Sequence, residues 1–175
     1  MLFDATLWWV ILITGVALWI PQNAQHEGAH LLAAKHWGAE TVKFWPFPGK
    51  MPNGRFAWAH YVYRGGKFDQ TAMGLVSIAP QFTNTVIMSL LLGLRWRFPE
   101  MPTVAASILA GWYLTNFVDG AYNLSTFYRK VPEEARTDGW RFCKRLQWNP
   151  STCRLATVAW QLWFGFHLLI PTSLI

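Results

Sequence analysis

Four long apolar segments leave this chain few ways to fold in water: Ala5 to about His36, Thr71–Leu94, Thr103–Leu124 and Leu155–Ile175. Its 175 residues suffice for one domain, 1–175, yet only 14% are charged, where a water-soluble domain carries about a quarter. A helix crosses the hydrocarbon of a bilayer with about 20 apolar residues. Ala5–Ile20 alone is too short, so the first span must continue through Pro21, tilted or kinked, towards His36. The N-terminus lacks the basic start and small-residue cleavage site of a removable signal peptide, so this segment reads as a retained span. The expected fold is mainly α: a polytopic membrane helix bundle of about four spans.

Charge orients the bundle. Thirteen of the fifteen Lys and Arg residues lie between segments one and two or between three and four; only Arg95 and Arg97 fall in the remaining loop. The positive-inside rule makes the basic side cytoplasmic and puts both termini on the other side. The reading is an integral protein of a prokaryotic inner (plasma) membrane. The same distribution accounts for the formal charge of +6 without any nucleic-acid partner. Cys143 and Cys153 both fall in the second basic loop, where two free thiols are expected on the reducing side.

The first basic loop carries a strand pattern. Arg55–Tyr63 alternates, with Phe56, Trp58, His60 and Val62 on one face; the turn signal Pro52-Asn53-Gly54 precedes it, and Val42–Phe47 offers a partner. This predicts a membrane-associated β-hairpin over about 42–63 with an aromatic face. The 12 Trp read as interface anchors and packing groups.

Chemistry concentrates at His26-Glu27-Gly28-Ala29-His30, an HExxH motif at the end of the first segment. Residues four apart share one face of a helix, so both imidazoles can reach one Zn2+ while Glu27 acts on a water beside it. An ionisable residue at membrane depth is costly and by default functional. Catalytic zinc needs a third protein ligand and an open position. Asp119, inside the third span, and Asp138, in the basic loop after it, are both candidates on the residues alone. His36, His60 and His167 have no ligand spacing to the motif; His36 reads as interfacial and His167 as a contact between helices.

Three features together resemble the site-2 protease family of intramembrane zinc metalloproteases: HExxH in an early span, Ala79-Pro80 followed by Asn84, and Asn123-Leu124 followed by Asp138-Gly139-Trp140-Arg141. Thr126 stands where the family has proline, and the gap from Asn123 to Asp138 is longer than usual. The resemblance implies His26, His30 and Asp138 as zinc ligands, with Asp119 the alternative, Glu27 as the catalytic base, and Asn84 positioning substrate or stabilising an oxyanion. It implies hydrolysis of membrane protein or peptide substrates near the cytoplasmic face, with the hairpin offering an edge to an extended substrate. The alternative is a non-catalytic membrane subunit that keeps the fold as a scaffold within a complex or homo-oligomer. Five scattered histidines are too few for a membrane di-iron oxygenase.

Overall fold

The computed structural model describes residues 7–51, 54, 56–125 and 137–169. Pro52, Asn53, Arg55, Thr126 and the end of the last apolar segment lie outside the described residues. The chain is mainly helical with small antiparallel sheets. Its elements are α1 (Trp8–Ala17), α2 (Trp19–His36), β1 (Ala39–Trp45), β2 (Gly49–Lys50), β3 (Phe56–Ala57), β4 (His60–Gly65), α3 (Gln70–Arg97), α4 (Thr103–Ser125), α5 (Asp138–Arg145) and α6 (Pro150–Leu169).

The first apolar segment breaks where its proline requires. Pro21 has no N–H for the Ala17 carbonyl and its ring crowds that oxygen, so α1 ends at Ala17 and α2 restarts at Trp19. The restart gives the histidine motif its own helix, separate from the apolar α1. That apolar helix packs on α4 through a close approach at Gly111. A Cβ there would lie 2.8 Å from the Ile11 carbonyl oxygen and 2.7 Å from Thr14 Cβ, so only glycine admits this crossing.

Asp69 caps α3, its side chain accepting from the Ala72 N–H at 2.7 Å. Asn149 does the same for α6 through the Ser151 N–H at 2.8 Å, with Pro150 as the first helical residue. Met88, Leu91 and Leu92 of α3, Tyr113 of α4 and Phe164 of α6 form the main apolar core. Tyr113 donates its hydroxyl hydrogen to the Phe164 carbonyl at 2.8 Å, which satisfies the buried phenol.

Polar side chains are buried beside this apolar core, and large apolar ones are exposed. Gln22, His30, Asn84, Asn116 and Asn123 are buried, whereas Val16, Leu32, Phe82, Leu155 and Leu162 are each more than two-thirds exposed. Among the described residues, α3 alone is long and apolar enough by composition to cross a membrane. The polar side chains on the inner faces of α2 and α4 lower the apolarity of those helices.

Two local expectations are corrected. The hairpin is two nested pairs: β1 with β4 from Ala39↔Gly65 to Trp45↔His60, and β2 with β3 at Gly49↔Ala57 and Lys50↔Phe56. The chain bends at Trp58–Ala59, which destroys a continuous aromatic face: Phe56 and Trp58 are exposed while His60 is buried. The cysteines are not free thiols but form a Cys143–Cys153 disulfide, because α5 packs on the start of α6 with the two Cα atoms 6.5 Å apart.

Candidate metal centre

HExxH lies wholly within α2, and the helical repeat brings the two imidazoles to one face with ring centroids 5.1 Å apart. The third group arrives from α5, whose first residue is Asp138. Asp138 Oδ2 lies 3.2 Å from His26 Nε2 and 3.2 Å from His30 Nε2. Donors on a metal's coordination tetrahedron stand roughly 3.3 Å apart, so the two His–Asp138 distances are of the size a shared metal ion requires, and all three ligand atoms lie within 4.8 Å of one another. Burial alone would raise the Asp138 carboxyl. While the His30 and His26 rings carry a proton, their charges and hydrogen bonds outweigh it and hold the group well below the usual carboxylate range.

Each histidine is oriented through its other nitrogen. His30 Nδ1 donates to the Val76 carbonyl at 2.7 Å. That carbonyl is free because the residue four positions on is Pro80, which has no N–H to give it. A proline buried inside α3 therefore fixes the tautomer of a histidine on α2 and turns its Nε2 towards Asp138. Pro80→Ala would supply the missing N–H and compete for Val76. We expect it to weaken zinc binding by about tenfold, read by chelator competition, while the helix itself becomes more stable. Unchanged affinity would remove this link.

His26 Nδ1 meets Asp119 Oδ2 at 2.9 Å. Asp119 thus sits on the far side of the ring from Asp138 and outside the cluster His26, His30, Asp138. Its Oδ2 also accepts from Asn84 Nδ2 at 2.7 Å and Gln22 Nε2 at 3.3 Å, and its Oδ1 from Asn123 Nδ2 at 3.0 Å. Asn84 is fully buried, and its Oδ1 accepts from Gln22 at 3.1 Å and Gln25 at 2.9 Å. With both ends of its amide engaged, Asn84 reaches the centre through Asp119 and is not among the residues lining the cavity. Gln25 continues the network to Asn116 at 2.8 Å. Every polar atom in this chain of contacts lies between α2, α3 and α4, which locks the three helices in register.

Several contacts hold α5 against the site. The Thr137 hydroxyl donates to the Asn123 carbonyl, tying the start of α5 to the end of α4. Arg145 donates to the Met73 carbonyl at 2.7 Å and Ser77 Oγ at 2.6 Å of α3. The disulfide adds α6.

Glu27 lines a cavity of about 500 Å³ together with His26, His30 and Asp138, and it makes no hydrogen bond among the described residues. Tyr61 of β4 stacks on His30 with centroids 4.9 Å apart and 22° between the planes. Burial first, then the Asp138 charge, pushes its phenol above the ordinary range, so it is neutral and protonated.

The centre thus joins His26, Glu27, His30 and Asp138, with Asp119 and Asn84 behind them. His36 packs edge-on against Trp37 at 4.9 Å, and His167 against Trp96 at 5.9 Å, both apart from the site. Residue-by-residue reasoning missed Asn23, His60 and Tyr61, which also line the cavity. Asn23 was findable, since extending the His26/Glu27 face back by one turn reaches it. His60 and Tyr61 come from a distant strand and carry no local signal. No protein-family model, curated protein or solved structure matches this chain.

Proposed function

We propose that this chain is an intramembrane zinc metalloprotease of the site-2 type that hydrolyses peptide bonds of membrane-associated substrates. One observation carries the reading: two imidazole nitrogens and a carboxylate oxygen converge beside an unpartnered glutamate in a cavity. The bundle of about four spans is supported by apolar outer faces on α1, α3 and α6 around a buried polar network. The orientation rests on charge, with the basic loops cytoplasmic and both termini opposite. The disulfide pulls the other way, since such bonds persist in oxidising compartments. Thirteen basic side chains outweigh one cysteine pair whose sulfurs meet through helix packing.

His26, His30 and Asp138 would hold the zinc, which when bound supplies a Lewis acid that acidifies water and polarises a carbonyl. Glu27 accepts a proton from the attacking water as its oxygen adds to the scissile carbonyl carbon. The same carboxyl returns that proton to the nitrogen as the C–N bond breaks. One water is consumed, and a carboxylic acid and an amine result. Asp119 and the Val76 carbonyl keep the two imidazoles in the tautomer that presents Nε2.

Metal analysis of the purified protein tests the centre. About one zinc per chain is expected, lost in His30→Ala, with cleavage of a membrane peptide removed by chelator and restored by zinc. A stable protein that takes up no zinc would sink the proposal and favour the scaffold.

A further inference from the structure

The cavity has polar groups that the hydrolytic step does not use. Asn23 Nδ2 is buried without a hydrogen-bond partner, and so are both ring nitrogens of His60, a residue only 5% exposed. Both residues line the cavity of the metal centre. Buried polar atoms are nearly always satisfied, so three orphans at one cavity call for a partner that enters it. Asn23 stands one helical turn before Glu27, on the same face of α2. His60 opens β4 and is itself among the residues that line the cavity, beside Tyr61, which stacks on His30.

The remaining walls are aromatic. Trp19 of α2 meets Trp58 edge-on at 5.8 Å, and Phe56 packs on Trp58 at 5.4 Å. Tyr122 and Val118 of α4 complete the lining. The orphan atoms match a peptide backbone. An amide N–H₂ donates to a carbonyl, and a neutral imidazole donates at one nitrogen and accepts at the other. The aromatic walls match a bulky apolar side chain.

We propose that Asn23 and His60 form a main-chain clamp that holds an extended peptide segment between α2 and the β3–β4 strand region. Asn23 donates to a substrate carbonyl next to the scissile bond. His60 pairs with a carbonyl and an N–H on the other side of the cavity, and the aromatic walls select an apolar residue beside the bond. This inference rests on the proteolytic reading, and it adds to it the two residues that position the peptide backbone beside the scissile bond.

The test uses the full chain with zinc bound and carrying Glu27→Gln, so that binding is read without cleavage. The probe is a fluorescent, end-blocked decapeptide with a central Phe-Leu pair, followed by anisotropy, beside its Asp-Asp counterpart. Asn23→Leu and His60→Phe are each expected to weaken binding about fivefold to tenfold, with zinc content unchanged. Asn23→Asp, of the same shape but without the donor, should fail equally. His60→Gln, which keeps a donor and an acceptor, should recover most of the affinity. Parent-like binding by Asn23→Asp and His60→Phe overturns the clamp, as does absence of binding to the zinc-loaded parent or equal binding of the Asp-Asp peptide. Binding to the protein with Glu27 intact but without cleavage would overturn the proteolytic reading and leave the clamp standing.

Discussion

Glu27→Gln is expected to lower peptide cleavage by about 10²- to 10⁴-fold while leaving zinc at the wild-type level. Glutamine keeps the shape and the hydrogen-bonding reach of the side chain but cannot take a proton from water. Glu27 stands outside the cluster His26, His30, Asp138, so the metal should not notice the change. Turnover of a transmembrane peptide in proteoliposomes, with metal content measured on the same preparation, separates the two effects. Cleavage at the wild-type rate would remove Glu27 from the chemistry. A parallel loss of zinc would make it a ligand.

Asp119→Asn is expected to weaken zinc binding by about 10- to 100-fold without abolishing it. The carboxylate accepts from His26 Nδ1, Asn84 and Gln22 on one oxygen and from Asn123 on the other. Asparagine has a single acceptor oxygen. Wherever it points, an N–H₂ group is set against a donor, and either His26 or Asn123 loses its partner. In such a buried network the loss is felt by every member, so His26 is no longer held with Nε2 toward Asp138. Asp138→Ala should do worse and leave no measurable zinc at concentrations where Asp119→Asn retains part. Chelator competition ranks the two. The reverse order would make Asp119 the ligand and Asp138 the supporting group.

Asp119 and Asp138 show where reading residues along the chain stops. Both are followed by glycine, and counting residues along the expected spans does not rank them. What separates them is which nitrogen of His26 each one meets. That depends on how α4 and α5 pack around α2. The same is true of Asn84, whose amide turns to Asp119, Gln22 and Gln25 and away from the cavity. The hairpin was legible as extended chain with a turn, but the bend at Trp58–Ala59 and the burial of His60 were not, because alternation reports faces only while a strand stays regular.

Local spacing determined what a helix repeat alone can determine. His26 and His30 share a face with Glu27 beside them, Pro21 marks a kink in the first apolar segment, and the apolar segments set the helical character of the chain. Tertiary structure decided everything that joins residues distant in sequence. It brought Asp138 to the histidines, opposed the carbonyl that Pro80 leaves free to His30, set Asp119 behind His26, and closed the cysteine pair. The physical reason is range. Backbone periodicity acts over one or two turns, whereas a metal site is specified by angles at which separate helices present single atoms.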